Sequence, residues 1–424
     1  MVNRKVMPPV RLTTELSLIN PKADRLGNGL PVYYLEGGTE EILKLELVFF
    51  AGSFYQLKPL VAFATGNLLR SGTKRKTREQ INELLDFYSA HLHIEAQKDI
   101  VSVSMFVLKK HFEAAFRLFC EIVREPVFPE EEMHTYLKNQ QHIHVVNQKK
   151  VQHLAMTYFN EMVYGESHPY GYRVRTDDFE KVERKDLQEF HANWFHPGNA
   201  FCVVSGQPPK GISSLISEGL GNVGWRQPEV ARSPEYRMLS SGSRKMNLDM
   251  PGALQSAIRI GKQLVNRTHP AWHRLKITNA LLGGFYGSRL MQNIRQDKGY
   301  TYGINSNLVS LVRSGYFFIG TQVGTDVCKA ATEEIYKELA ALRTVPAGGE
   351  ELQTLKNYLS GNYLRSFDGP FAQAARYKEL LVFGLDMSHH EDFLKELKEI
   401  TAEDIMETAG LYLREDEMME VVVG

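Results

Sequence analysis

Residues 181–206, KVERKDLQEFHANWFHPGNAFCVVSG, resemble residues 399–424, EITAEDIMETAGLYLREDEMMEVVVG. Each stretch predicts a helix with an aspartate near its start, a short turn, and a buried apolar strand that ends at glycine. Asp404 lies 218 residues after Asp186, and the two closing glycines are separated by the same distance. An internal repeat at a fixed offset indicates that the chain contains two copies of one structural unit.

A further pair of segments gives the same offset. Leu137-Lys138-Asn139 follows a helix start rich in proline and glutamate, and Leu355-Lys356-Asn357 follows one rich in proline and glycine, again 218 residues later. An amphipathic helix precedes each of them, HFEAAFRLFCEIVREP in the first half and DVCKAATEEIYKELAALRTVP in the second. One offset shared by separated segments predicts a tandem duplication with a period of about half the chain.

The length and the distribution of helix breakers predict the domain organisation. A chain of 424 residues is longer than one hydrophobic core usually supports. Proline, glycine and serine gather between Gln207 and Arg237, as is typical of a linker. We therefore predict an N-terminal repeat over residues 1–206, a linker over 207–237 and a C-terminal repeat over 238–424.

The order of strand and helix patterns predicts the fold class. Short apolar segments indicate strands, namely LPVYYLE, ILKLELVFF and SVSMFVL in the first half and SGYFFIGTQV and MEVVVG in the second. Helical patterns are interspersed with them, without strict βαβ alternation. The expected class is therefore α+β, with two homologous repeats that each form a mixed, mostly antiparallel sheet with helices packed on one face.

Charge and cysteine usage exclude several classes of function. Lys+Arg and Asp+Glu both number 50, so no overall basic field favours nucleic acid or anionic lipid as a partner. Cys120, Cys202 and Cys328 are far apart, sit in apolar surroundings and form no Cys-x-x-Cys motif, so we predict buried free thiols. The chain begins without a secretory signal and has no apolar run of about 20 residues, so a cytoplasmic, non-membrane location is expected.

Six landmarks are spread over nearly the whole chain: RLGNGLPVYYLEG (25–37), ELVFFAGSFYQ (46–56), the segment 58–93, YGESHPYG (164–171), WFHPGNAFCVVSG (194–206) and GGFYGSRLMQNIRQDKGYTYG (283–303). Together they resemble the pitrilysin superfamily, which contains insulinase, mitochondrial processing peptidase and bacterial zinc proteases of about this length. The resemblance implies a clam-shell arrangement of the two repeats and a zinc site in the first repeat.

The zinc motif that the resemblance implies is degenerate. The family's helix reads His-x-x-Glu-His, in which the two histidines bind zinc and the glutamate is the general base. Alignment on the Gly-Thr pair that follows the helix places Phe63, Gly66 and Asn67 at these positions. The third ligand, a downstream glutamate, would fall near Ile143, in a segment without acidic residues. We therefore expect no metal or other cofactor in this chain and no peptide hydrolysis by the chain alone.

Two other histidine pairs have a spacing that metal ligands use. His91, His93 and Glu95 alternate, so a strand would place all three on one face, and His142 with His144 repeats the spacing. The alternative interpretation is that the first group is the solvent-facing side of an edge strand. The second pair would then lie on a helix, where residues two apart point in different directions. Neither pair has an identifiable further ligand.

No independent catalytic chemistry is readable elsewhere in the sequence. Residues 389–392, HHED, are most simply the acidic first turn of a helix. A hydrolase that uses other residues would be a third hypothesis. No Gly-x-Ser-x-Gly elbow, Cys/His signature or paired acid motif supports it.

The second half retains an arginine and a tyrosine at the family spacing. Arg295 lies seven residues before Tyr302 in IRQDKGYTYG, and the resemblance implies that both point at a peptide bound on the zinc-bearing half. Fixed hydrogen-bond donors of this kind stabilise a developing oxyanion. Gly283, Gly284 and Gly287 would allow backbone or substrate to approach closely. The alternative is that Arg295 caps a surface helix and that Tyr302 is a sheet aromatic.

Two function hypotheses follow. The first is a non-catalytic subunit of a heterodimeric zinc metallopeptidase, which binds a peptide or unfolded protein along an exposed sheet edge. It would lend Arg295 and Tyr302 to a zinc-bearing homologous subunit, and zinc is expected only in that partner. The alternative is a catalytically inactive homodimer that acts as a peptide-binding or scaffolding protein, like the core subunits that the superfamily contributes to a respiratory complex.

Overall fold

The computed structural model describes residues 16–222, 224–225, 236 and 244–424. Within these ranges the chain forms two mixed β-sheets, one from each half, with helices packed on them. None of the helices in the described part of the chain is long and apolar enough to cross a membrane.

The first sheet is built from the N-terminal half. Its strands are β1 (Lys22–Arg25), β2 (Pro31–Glu36), β3 (Ile42–Phe49), β4 (His91–Ala96), β5 (Val101–Leu108) and β6 (Ala200–Gly206), in the order β1-β2-β6-β3-β5-β4. β2 and β6 are parallel, and the other neighbours are antiparallel. Every residue of β6 is buried, which explains its continuous apolar sequence in the middle of the sheet.

The helices of this half follow the predicted patterns. They are α1 (Val61–Leu68), α2 (Arg78–Phe87), α3 (Phe112–Arg124), α4 (Glu130–Asn147), α5 (Val151–Tyr164), α6 (Arg184–Trp194) and α7 (Ile212–Leu220). α3 shows why: its phenylalanines and aliphatic residues recur on one face, which is buried against the sheet, while its charged residues face solvent.

The C-terminal half repeats this architecture. Its strands are β7 (Lys245–Leu248), β8 (Gln255–Leu264), β9 (Ile304–Leu311), β10 (Ser314–Gly324) and β11 (Met419–Val423), in the order β7-β11-β8-β10-β9. Its helices are α8 (Trp272–Asn279), α9 (Cys328–Thr344), α10 (Gly349–Arg365), α11 (Gly369–Val382), α12 (Ser388–Glu399) and α13 (Ala402–Tyr412), with π-helical turns at Ala280–Gly284 and Met291–Asp297.

The helix bounds confirm the duplication. Shifting α11 back by 218 residues gives 151–164, the bounds of α5, and the same shift of α13 gives 184–194, the bounds of α6. The series β2-β6-β3-β5-β4 and β7-β11-β8-β10-β9 also match in order, with one parallel pair at the same place in each. The predicted class, two homologous α+β repeats with mixed, mostly antiparallel sheets, is confirmed.

Each repeat also lends one helix to the other repeat. α5 packs on β8 and β11 of the second sheet, and α11 packs on β2 and β6 of the first. A Cβ atom at Gly261 of β8 would lie 2.0 Å from the backbone oxygen of Phe317 on β10 and 2.9 Å from the ring of Phe159 on α5, so both the neighbouring strand and the crossing helix require glycine here. Each sheet is therefore covered on one face by its own helices and on the other by a helix of the opposite repeat.

Buried polar groups fix this interface between the repeats. The hydroxyl of Tyr164 on α5 donates to the backbone carbonyl of Gly315 at 3.1 Å. The carboxylate of Asp99 accepts from the backbone N–H of Val312 at 3.0 Å and from the hydroxyl of Tyr170. Because buried donors and acceptors are costly to leave unpaired, these bonds favour one arrangement of the two repeats.

The predicted linker is partly helical. α7 lies within 207–237, and its Ile216 and Leu220 are buried in the core of the first repeat. Residues 226–235 of the linker lie outside the described part of the chain, and the exact domain boundaries stay a prediction.

The three cysteines are free thiols. Cys120 and Cys202 are buried as predicted, whereas Cys328 at the start of α9 is only half-buried. Burial raises the pKa of Cys120 to about 12, so that thiol is unreactive at neutral pH.

Candidate functional site

A cavity of about 590 Å³ lies in the first repeat, and it is called the polar cavity here after the amide and hydroxyl groups that interrupt its largely apolar lining. Its walls come from α1, α4, the start of α5 and the segment 169–179. Phe63 and Asn67 of α1 line this cavity, and Ile143 of α4 lies opposite them. The structure therefore brings together three of the four positions where the family resemblance implies zinc chemistry.

The fourth position, Gly66, faces away from the cavity and into the sheet. A Cβ atom there would lie 3.3 Å from the side chains of both Ala96 on β4 and Val101 on β5. These contacts are tight, so glycine lets α1 pack closely on the edge of the first sheet. A longer side chain at this position would have to displace its neighbours.

The residues at these positions do not fit a zinc ion. The side-chain amide of Asn67 donates to the backbone carbonyl of Phe63 at 2.8 Å, and a phenyl ring or an aliphatic side chain such as Ile143 has no lone pair to offer. Across the described residues, no three His, Cys, Asp or Glu side chains are close enough together to hold a metal ion.

The polar cavity instead offers mainly neutral hydrogen-bonding groups, beside one cation, Lys98. Amide and hydroxyl side chains line it, namely Gln140, Asn147, Gln148, Thr157 and Asn160. Two histidines join them, and burial lowers the pKa of both His144 and His153, so both rings are neutral at pH 7. Side chains of this kind bind peptide groups rather than activate water.

These lining residues were not predicted from the sequence. Gln140, Asn147 and Gln148 lie on or next to α4, and polar residues on a helix usually form a solvated face. Only the packing of α4 beside α1 and α5 turns that face towards a cavity. The carboxamide oxygen of Asn160 is buried there without a hydrogen-bond partner among the described residues, which marks a group that a bound molecule could satisfy.

For the histidine pairs, the structure agrees with the interpretation that does not involve a metal. His91, His93 and Glu95 lie on the exposed side of β4, and β4 is an edge strand of the first sheet. His142 is exposed and His144 half-buried on the helix α4. The predicted solvent-facing edge strand and the predicted helix are both observed.

Arg295 and Tyr302 lie outside the polar cavity. Arg295 is on the turn Met291–Asp297, and its guanidinium stacks on the ring of Tyr286 at 4.9 Å. The side chain of Tyr302, just before β9, is 91% exposed. Tyr302 therefore faces outward from the second repeat, whereas Arg295 is half-buried against Tyr286.

The loop that carries Tyr302 is nevertheless connected to the wall of the polar cavity. The hydroxyl of Thr301 donates to the backbone carbonyl of Gln322 at 2.6 Å. The side chain of Gln322 in turn accepts a hydrogen bond from Gln152, which is next to the cavity residue His153 on α5. The loop that carries Tyr302 and the wall of the polar cavity thus lie on opposite sides of one hydrogen-bonded contact between the repeats.

The sequence matches a described family and several curated relatives. Residues 181–359 match the family described as peptidase M16 inactive domain. The uncharacterized zinc protease YmxG of Bacillus subtilis is 21% identical over 83% of this chain and 85% of its own length. An uncharacterized zinc protease of Rickettsia felis is 21% identical over 92% of this chain and 94% of its own length.

Solved structures share the fold over nearly the whole chain. A peptidase M16 inactive domain from Pseudomonas fluorescens superposes with a TM-score of 0.87 at 23% identity, covering 96% of this chain and 98% of that one. A protease from Helicobacter pylori gives 0.85 at 17% identity, covering 96% and 99%. A chain of complex III2 from Candida albicans gives 0.76 at 15% identity, covering 95% of each.

The fold and the site define a class of protein: a two-repeat α+β protein of peptidase fold, whose metal-binding position holds no metal ligand. The chain is similar to bacterial zinc proteases of the pitrilysin type over most of its length, and residues 181–359 match the family described as peptidase M16 inactive domain. The family resemblance predicted from the sequence is confirmed.

Proposed function

We propose that this chain is a non-catalytic, peptide-binding subunit that works with a zinc-bearing homologous subunit. The supporting observation is the polar cavity itself, in which Phe63, Asn67 and Ile143 occupy the metal positions. A cavity of about 590 Å³ is large enough for several side chains of a peptide. Binding capacity is thus retained where the groups for hydrolysis are absent.

The edge of the first sheet supplies a place for the peptide backbone. Among the described strands, β4 has β5 as its one hydrogen-bonded neighbour, so its outer N–H and C=O groups are available for strand addition. α1, which carries Phe63 and Asn67, packs against β4. Alternate side chains of a peptide paired with β4 would point towards the polar cavity.

The exposure of Tyr302, and of the tyrosine on which the half-buried Arg295 stacks, supports a role outside this chain's own cavity. Tyr302 is 91% exposed and Tyr286, on which Arg295 stacks, is 62% exposed. Exposed tyrosine and arginine side chains are typical of surfaces that bind a partner protein. In the proposed assembly their N–H and O–H groups donate hydrogen bonds to the carbonyl oxygen of a peptide held by the zinc-bearing subunit.

The alternative is a catalytically inactive homodimer that binds peptides or acts as a scaffold. It is favoured by the fold shared with a chain of complex III2, at a TM-score of 0.76 over 95% of each chain. In that case the exposed surface around Tyr286 and Tyr302 would contact a second copy of this chain.

Peptide cleavage by purified proteins tests the proposal. We expect no cleavage by this chain alone and faster cleavage when it is mixed with a zinc-bearing homologous subunit than by that subunit alone. Arg295→Ala and Tyr302→Phe should each lower the rate of the mixture, by about 10²-fold if the oxyanion contact is direct. Arg117→Ala is the matched control, because Arg117 is an exposed arginine of α3 in the first repeat.

The outcomes separate the hypotheses. Chelator-sensitive cleavage by this chain alone would contradict the proposal. A homodimer in analytical ultracentrifugation, together with no rate increase in the mixture, would favour the scaffold. Equal rates for the Tyr302→Phe and Arg117→Ala mixtures would remove the role given to Tyr302.

A further inference from the structure

A second cavity, of about 430 Å³, lies in the C-terminal repeat and is cationic. It is surrounded by α8, α10, α11 and the start of α12, and β9 closes one side. In the duplicated fold, α8, α10 and α11 are the counterparts of α1, α4 and α5, which surround the polar cavity. The same architectural position therefore carries mainly neutral amides with one lysine in the first repeat and three cations in the second.

The charges of the side chains that line the cationic cavity do not sum to zero. Three cations, Arg267, Lys276 and Arg376, line it together with a single carboxylate, Glu379. Glu379 pairs with Arg267 at 3.3 Å and with Arg376 at 3.2 Å. One negative charge thus faces three positive charges, which leaves a net positive field in a partly enclosed space.

Lys276 is the cation without a counter-charge. Among the described residues it forms no hydrogen bond or ion pair, and its ammonium group lies 4.8 Å from the ring centre of Tyr363 and 4.3 Å from that of Phe393. These cation–π contacts offset only part of the loss of hydration. Burial, followed by Arg376 and Arg267, lowers the pKa of Lys276 to about 8, so it is still mostly protonated at pH 7.

Three histidines supply neutral hydrogen-bond donors beside these charges. The rings of His273 and His389 lie 4.3 Å apart between centres, and His390 shares a hydrogen bond of 2.6 Å between its Nδ1 and the hydroxyl of Tyr363. His273 Nδ1, His390 Nε2 and Arg267 Nε are buried without a hydrogen-bond partner among the described residues. Arg267 Nε is an unpaired donor, and each of the two imidazole nitrogens is one in the tautomer that carries its proton, so a negatively charged acceptor would satisfy them.

We propose that the cationic cavity binds an oxyanion, either a phosphate or a carboxylate. Guanidinium and ammonium groups bind both kinds of oxygen through charge-assisted hydrogen bonds. A metal cation is disfavoured in spite of the histidines, because the three cations would repel it. This site is independent of the polar cavity, so it stands whether or not the proposed peptide-binding function holds.

Isothermal titration of the full chain with inorganic phosphate, with acetate and with chloride at equal ionic strength tests the proposal. We expect saturable binding of phosphate or acetate, and the arm that binds more tightly identifies the oxyanion. Lys276→Met should weaken that binding at least tenfold. Lys395→Met is the matched control, because it removes one positive charge from the exposed face of α12 and should change binding less than twofold.

A second variant and a spectroscopic readout guard against an effect on folding alone. Lys276→Arg keeps the positive charge and should retain most of the binding. In NMR titrations, saturating oxyanion should raise the imidazole pKa of His389, which lies in the cavity, while the ring signals of the exposed His142 should not respond to the oxyanion. Binding that is non-saturable, or that Lys276→Met and Lys395→Met weaken equally, would overturn the proposal.

Discussion

Glu46 is a buried carboxylate that joins the two repeats. It is 3% exposed on β3 and pairs with Lys44 of the same strand at 2.7 Å and with Lys378 of α11 at 2.9 Å. Burial alone would raise the pKa of Glu46, but Lys378 and Lys44 outweigh burial and lower it. The carboxylate is therefore charged in the folded state. It is the shared counter-charge of two largely buried ammonium groups, those of Lys44 and Lys378.

We expect Glu46→Gln to lower the free energy of unfolding at pH 7 by about 3–5 kcal/mol, because it leaves two buried lysines without a counter-charge. The pKa of Glu46 is lower in the folded than in the unfolded state. Its contribution is thus complete above the unfolded value of 4.5 and is lost as the pH falls through the folded value. Urea unfolding at several pH values measures this.

Glu36→Gln is the matched control for this prediction. Glu36 pairs with Lys22 at 3.3 Å, with the two side chains 47% and 72% exposed. An exposed pair contributes about 0–1 kcal/mol, so this variant should be nearly neutral. If both variants lowered the free energy of unfolding by similar amounts, burial would not be the reason why the ion pairs of Glu46 stabilise the protein.

The positions of Phe63, Asn67 and Ile143 lead to a gain-of-binding prediction. Because all three line one cavity, the triple variant Phe63→His/Asn67→His/Ile143→Glu should retain about one zinc ion per chain after dialysis, since two histidines four residues apart and one carboxylate form a known zinc set. Ile143→Glu alone should retain none. Metal analysis by mass spectrometry decides, and a zinc-free triple variant would mean that the three side chains do not converge.

Helix α5 is predicted to stabilise the repeat that it does not belong to. Phe159 is fully buried, and its ring lies 6.2 Å from those of Tyr316 and Phe318 on β10. Phe159→Ala should lower the free energy of unfolding by about 3–5 kcal/mol through the cavity that it leaves. Phe87→Ala, at a side chain that is 74% exposed, should change it by less than about 0.5 kcal/mol. Thermal and urea unfolding of both variants measure the difference.

The elements were readable from the sequence, but their partners were not. The apolar pattern of 112–124 predicts a helix with one buried face, and α3 has that form. The same kind of pattern in α5 and α11 cannot say which sheet covers the apolar face, because periodicity carries no information about partners. The exchange of these helices therefore emerges only in the folded chain.

Some residues of the candidate sites could likewise be placed from the sequence, and others could not. Phe63, Asn67 and Ile143 could be placed because a family motif fixes their spacing. His389 and His390 were interpreted as part of an acidic helix start, and α12 does begin at Ser388. His390 is nevertheless only 5% exposed, because Tyr363 of α10 and Phe367 just after it pack against its ring. No local pattern in the sequence could have indicated that contact.

The exchanged helices couple the stability of the two repeats. If either repeat unfolded alone, the other would lose the helix that covers one face of its sheet and would expose that apolar face to water. We therefore expect a single unfolding transition. Trp194 lies in the first repeat and Trp272 in the second, so single-tryptophan variants that retain one or the other should give coincident fluorescence transitions. Two separated transitions would contradict the coupling.

The histidines of the cationic cavity are predicted to contribute to the response of the whole molecule to acid, together with buried histidines elsewhere such as His191, whose pKa burial lowers to about 4. Burial, aided by nearby positive charge, lowers the pKa of His273 and of His389 to about 4 and that of His390 to about 3. Arg267, Lys276 and Arg376 oppose protonation, and Glu379 together with Asp392 favours it. Histidine in an unfolded chain titrates near 6.5. Between about pH 6.5 and pH 4 the unfolded state thus binds protons that the folded state does not, and the free energy of unfolding decreases as the pH falls.

His389→Gln should reduce this dependence on pH. Each proton bound only by the unfolded chain contributes a slope of about 1.4 kcal/mol per pH unit, so the variant should lose up to that slope between pH 6.5 and pH 4.5. His142→Gln, at an exposed histidine of α4, should keep the wild-type slope. Urea unfolding across this range measures both.

A bound oxyanion would favour the imidazolium form of His389, so phosphate or acetate, whichever binds, should flatten the wild-type curve more than that of His389→Gln. Identical slopes for the wild type and His389→Gln would show that the buried ring does not carry the acid response.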